Sequence, residues 1–119
     1  MPYNLDHVDR ICEILDEKYI DYIDKKMMGG IVFMVKNKMC CGVHYDKKRK
    51  TDMLMARIGE DEVKKALEFD YCHEVKFTKS PMKHFVFIEP EGFYEDDELE
   101  AWLDLCLKFN PEAKSSKGN

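Results

Sequence analysis

The stretch Lys25-Lys26-Met27-Met28-Gly29-Gly30-Ile31-Val32-Phe33-Met34-Val35-Lys36-Asn37-Lys38-Met39-Cys40-Cys41-Gly42-Val43-His44-Tyr45-Asp46 decides the fold. Two apolar runs flank Asn37-Lys38, which reads as the tip of a β-hairpin, because Asn tolerates the left-handed backbone of a tight turn. Gly29-Gly30 lets the chain bend or bulge as it enters the sheet. A first strand is expected over residues 25–36 and its return over residues 39–45. Gly42, inside the return strand, marks a bulge or the close approach of another backbone.

Outward from this hairpin the pattern changes period. Residues 4–20 carry Leu5, Val8, Cys12, Leu15 and Tyr19 at helical spacing, with Asn4 as the N-cap. After the charged loop Asp46–Thr51, residues 53–58 read as a third strand. Residues 60–68 read as a short helix with acidic residues at its positive end, and Glu60/Lys64 and Asp61/Lys65 fall in the favourable i,i+4 order. Residues 71–78 alternate. Tyr71, His73, Val75 and Phe77 are expected inside, and Cys72, Glu74 and Lys76 on a wet face. A fifth strand follows over residues 84–89. A last helix starts at Asp96 or Asp97, with Asp97 and Glu100 as a capping box and Leu99, Trp102, Leu103, Cys106 and Leu107 as its buried stripe. Short connections make neighbouring strands antiparallel. The expectation is a two-layer α+β domain over residues 1–110, ordered α-β-β-β-α-β-β-α, with a five-stranded antiparallel sheet. Residues 111–119 have the composition of a disordered tail.

At 119 residues the chain is one domain that can bury about two-thirds of its unfolded surface, so no metal or disulfide is required to hold it. Its net charge of -5 argues against direct nucleic-acid binding, which needs a basic face. No apolar run reaches the ~20 residues of a membrane span. Residues 1–15 carry Asp6, Asp9 and Glu13 within their apolar pattern, unlike a secretory leader. The five cysteines sit in apolar segments without framework spacing. Together these point to a cytoplasmic protein with buried thiols.

Several pieces in this order resemble the N-terminal domain of the TfoX/Sxy family. They are Lys26-Met27-Met28-Gly29-Gly30, the hairpin to Met39 with Gly42-Val43, Leu54-Met55-Ala56-Arg57-Ile58-Gly59, Pro81-Met82-Lys83-His84-Phe85-Val86, and the Leu99…Trp102-Leu103…Leu107 helix. The resemblance covers residues 20–109. It implies the element order derived above and a bacterial, regulatory, non-enzymatic role. Named members regulate competence with a catabolite-activator-type transcription factor and carry a second, helical domain. Met28, Gly29, Gly30, Gly42, Gly59, Pro81 and Met82 are its motif positions here. Lys38, Glu60 and His84 depart from the family pattern. The family brings no catalytic residue and no cofactor.

Candidate chemistry is sparse. Cys40 and Cys41 point to opposite faces of a regular strand, so they cannot share a metal ion. Cys40 and His44 lie about 13 Å apart along a strand, too far for a nucleophile and its base. Arg57 and Lys83, with Lys26, are a candidate anion or partner site, unless Asp52 or Glu89 pairs with them. Lys47, Lys48, Arg49 and Lys50 form the one concentrated run of positive charge, a candidate phosphate-contacting loop or a solvated hairpin tip. Strands 31–35 and 84–88 are apolar on both faces, and methionines crowd the strands. Three helices cover one face, so a homodimer or protein partner is expected on the second face, unless strand ends and loops fold over it. The leading reading is a non-enzymatic regulatory or protein-interaction module. The alternatives are a co-regulator acting at DNA with a catabolite-activator-type factor, and an anion or small-molecule binder.

Overall fold

The structure, a computed structural model, describes residues 3–27, 29–76 and 82–113. Motif positions Met28 and Pro81, part of the expected strand 71–78, and residues 114–119 lie outside the described residues.

Helix α1 spans Leu5–Glu17, β1 Ile23–Met27, β2 Gly30–Val35, β3 Lys38–Asp46 and β4 Thr51–Arg57. Then come α2 (Glu60–Ala66), β5 (Cys72–Glu74), β6 (Phe85–Ile88) and α3 (Asp96–Phe109). The α+β class holds, but the sheet has six strands rather than five, in the order β1-β2-β3-β4-β6-β5, with every pair antiparallel. The extra strand comes from the glycine pair. Gly29 has φ +75, Met27 pairs with Gly30, and the presumed single strand is therefore a hairpin. The next hairpin turns one residue earlier than expected. Lys36 and Asn37 are both left-handed (φ 54 and 64), and Val35 pairs with Lys38. Two consecutive left-handed residues match the right-handed twist of the strands they join.

Gly42 marks a close approach of backbones. A Cβ there would sit 2.4 Å from the carbonyl oxygen of Ile31. The bulge lies nearby: Phe33 pairs with Cys41 but Met34 pairs with Met39, which leaves Cys40 as the extra residue.

Asn4 caps α1 by accepting the Asp6 N–H at 2.9 Å, while its own N–H donates to Asp52 Oδ2 of β4 at 2.8 Å. The helix ends at Tyr19, left-handed at φ 57, where the Tyr19 and Ile20 N–H groups close back on the carbonyls of Asp16 and Leu15. Lys18 Nζ reaches Glu100 and Asp104 of α3 at 2.8 and 3.1 Å. Arg10 Nη2 donates to the Phe93 carbonyl at 2.9 Å. Helix α3 starts at Asp96, one of the two expected starts, but its capping box is Glu95 with Glu98 rather than Asp97 with Glu100; the Glu95 N–H donates to Glu98 at 2.9 Å. The far end of α3 clamps the β2–β3 turn. Asn110 Nδ2 donates to the Val35 carbonyl, and Lys38 Nζ donates to the carbonyls of Asn110 and Pro111. Ala113 is buried, so the packed unit reaches at least three residues past the expected boundary at 110.

Helices cover one face. Ile11 and Leu15 of α1, Val63 of α2, and Leu99, Leu103 and Cys106 of α3 meet Phe33, Val43, Leu54 and Val86 of the sheet. Cys72 belongs to this core and not to a wet face. The opposite face is a second core of Val32, Met34, Met53, Met55, Val75, Phe85 and Phe87, packed by Met27, Met39 and Met82. None of its seven buried members is more than 6% exposed, so the face expected to await a partner is closed within one chain. Among the described residues, no helix is long and apolar enough to cross a membrane.

Two substitutions test these backbone readings by urea unfolding. Gly42→Ala inserts a methyl group against a carbonyl and is expected to cost about 1–3 kcal/mol. Tyr19→Gly relieves a left-handed residue that is 94% exposed and is expected to stabilise by about 0.5–1 kcal/mol. An unchanged midpoint in either case contradicts the corresponding reading.

Candidate functional site

The side chains with chemistry fall into three groups, set by strand position. Arg57 ends β4 on the second face, opposite Phe85 in the register. Its Nη1 donates to the Met39 carbonyl at 3.4 Å, and its guanidinium lies 5.2 Å from the centre of the Phe85 ring. Burial pulls its pKa below the ordinary value, and Cys40 opposes that shift. Lys83 is exposed two residues before β6. Lys26 is exposed on β1, paired with Ile31 of the helix-covered face. Three strand spacings, about 14 Å, separate β1 from β4. Lys26 therefore stands on the other face and cannot complete a site with Arg57. The acids expected to pair with Arg57 have other partners: Asp52 meets His7 at 3.6 Å, and Glu89 meets His73 at 2.6 Å.

The second group is a cluster of thiols. The bulge overturns the opposite-faces argument, because Cys40 and Cys41 both enter the helix-side core. There Cys106 of α3 joins them. Hydrogen bonding from Cys106, then Cys41, draws the Cys40 pKa below that of an ordinary thiol. Burial opposes this, and the charge of Arg57 assists it. Cys41 is pushed up by its hydrogen bond to Cys40 and by burial; Cys106 is pushed up by burial and by its bond to Cys40. His44 is not part of this cluster: its ring stacks on Phe87 of the second core at 5.3 Å and 13°. Among the described residues, no group of three or more His, Cys, Asp or Glu side chains has metal-holding geometry.

The third group is the β3–β4 turn. Asp46 shapes it by accepting the N–H groups of Lys48 and Arg49 at 2.9 and 3.2 Å and Arg49 Nη1 at 2.8 Å. Burial raises the Asp46 pKa, but these donors outweigh it and the net shift is downward. Lys50 closes the turn in a left-handed conformation, its N–H donating to the Asp46 carbonyl at 2.7 Å. In a meander, alternate turns lie at the same end of the sheet, so this turn neighbours the β1–β2 turn that contains Gly29. A groove of about 740 Å3 opens there, lined by Gly29, His44, Lys47, Lys48, Lys76 and Phe87 among others. Of the remaining motif positions, Gly30 packs against β3, Gly59 precedes α2, and the Met82 N–H donates to the Val75 carbonyl at 2.8 Å.

The histidine–carboxylate pairs and the shared thiol pocket escaped sequence reasoning, since no spacing rule links residues so distant in the chain. The groove had a signal. Once Gly29 is read as a turn, its turn and the charged turn fall at one end. Comparisons with family models, curated proteins and solved structures return no match.

Burial makes the thiols unequal. Cys12 is half-buried and the other four are buried. Iodoacetamide treatment of the native protein, followed by mass spectrometry, is expected to label Cys12 first and Cys40, Cys41, Cys72 and Cys106 only on unfolding. Early labelling of Cys40 or Cys106 contradicts the packing described.

Proposed function

We propose that the chain is a non-enzymatic, cytoplasmic regulatory module of the TfoX N-terminal type that works through protein contact, with the outer edge of β1 as the contact. The resemblance over residues 20–109 and the α+β class with an antiparallel sheet support the family reading, while the sixth strand departs from the order that the resemblance implies. The observation that carries the contact is the state of β1. It is an end strand with no described strand on its outer side, and Ile23, Asp24, Lys25 and Lys26 are all exposed. Ile23 is 61% exposed, an apolar side chain at an open hydrogen-bonding edge.

The strand is complementary to a second copy of itself. In antiparallel pairing centred on Lys25, Ile23 lies opposite Met27 of the other copy and Asp24 opposite Lys26. The apolar pairs extend the second face and the charged pairs attract. Lys25 meets its own counterpart, a like-charge contact that opposes association. With so short an edge, the dimer is a weak one.

Sedimentation equilibrium tests this. The wild-type mass is expected to rise with concentration from 14.1 kDa toward twice that value. Asp24→Lys replaces two attractive pairs with repulsive ones and is expected to weaken association about 2- to 30-fold. The double variant Asp24→Lys/Lys26→Asp is expected to restore it. A wild type that stays monomeric at high concentration overturns self-pairing, and so does a dimer indifferent to the exchange.

A further inference from the structure

The β1 edge leaves the groove at the β3–β4 turn unused. We propose that this groove binds a small phosphate-bearing anion.

The argument starts from charge. The groove is lined by the cations Lys47, Lys48, Arg49 and Lys76 and the carboxylates Asp46 and Glu74, an excess of two positive charges on a chain whose net charge is -5. The carboxylates are already engaged. Asp46 holds Arg49 at 2.8 Å, and Glu74 lies 3.8 Å from Lys76. No described acid forms an ion pair with Lys47 or Lys48. These two ammonium groups suit phosphate oxygens, which they meet as point charges.

A hairpin tip with loose lysines would be an ordinary solvated surface. Three features distinguish this one. The backbone under the lysines is fixed, because the Lys48 and Arg49 N–H groups donate to the Asp46 carboxylate and the Lys50 N–H to the Asp46 carbonyl before any ligand arrives. Preorganisation of this kind lowers the ordering cost of binding. The charge comes from two separate parts of the chain, since Lys76 arrives as the chain leaves β5. The groove also has a floor. The imidazole of His44 lies near-parallel to Phe87, and Gly29 stands beside it, where a Cβ would meet Cε1 at 3.7 Å, in ordinary van der Waals contact. At about 740 Å3 the groove is within the size range of small-molecule sites. Glu74 on its rim and the net acidity of the chain disfavour an extended polyanion, which leaves a small one.

Calorimetric titration of the full chain with inorganic triphosphate and, separately, with ATP tests the proposal. Saturable binding of at least one is expected. Equal binding of both shows that the phosphates alone are recognised. Binding of ATP alone shows that the nucleoside rests in the groove as well. Lys47→Glu/Lys48→Glu is expected to weaken binding at least tenfold. Lys36→Glu/Lys108→Glu makes the same change in net charge at exposed positions outside the groove and is expected to leave binding unchanged. Circular dichroism melting of both variants verifies that they fold. Absence of saturable binding to either probe overturns the proposal, as does equal weakening by the two variants. Neither result bears on the β1 edge, which sedimentation reads independently.

Discussion

The register between β2 and β3 is the constraint on which the rest of the structure depends. It is set at three points. The left-handed pair Lys36-Asn37 closes the hairpin, and Gly30 and Gly42 lie where the two backbones come too close for a side chain. Because side chains alternate along a strand, a slip of one residue would send Phe33 to the second face and Met34 to the helices. The helices are fitted to this register. Asn110 and Lys38 tie the end of α3 to the turn, and Asn4 ties the start of α1 to β4.

The bulge at Cys40 has a second consequence. Beyond it, the extra residue resets the alternation of β3, so Cys40 and Cys41 share one core while His44 remains on the other face. Thiols that look separable in a regular strand become neighbours, and a cysteine–histidine pair that looks conceivable on one face is divided between two. Arg57 stands where β4 ends beside these elements, donating to a carbonyl of β3 and lying over the face of Phe85.

The methionines suggested an open apolar face, yet they build a closed one. Unbranched side chains fill the irregular space of the second core, with Met27, Met39 and Met82 packed at its margin. What the described surface offers instead is peripheral: a sheet edge that carries Asp24, Lys25 and Lys26 between Ile23 and Met27, and a groove whose cations come from a turn and from Lys76. The two use different physics, backbone pairing in one and charge concentration in the other. They are separate surfaces of one scaffold.

Much of the architecture was legible in the chain itself. The helical spacing of Val8, Leu15, Leu99 and Leu103, the strand runs about Asn37 and β6, and the antiparallel neighbours are local properties, dictated by side-chain period and by turn residues. The sixth strand was nearly legible: Gly29-Gly30 carries the signal of a turn as readily as that of a bend, and only pairing between Met27 and Gly30 decides between them. Lys26 cannot join Arg57 in the expected site, because strand order and strand face are not local. Three strand spacings and the opposite pointing of alternate residues separate groups that sequence motifs list together. The thiol cluster, the closing of the second face and the groove beside Gly29 were likewise settled by tertiary structure. Each depends on which distant segments meet, and that is fixed by packing a whole sheet against its helices rather than by any window of residues.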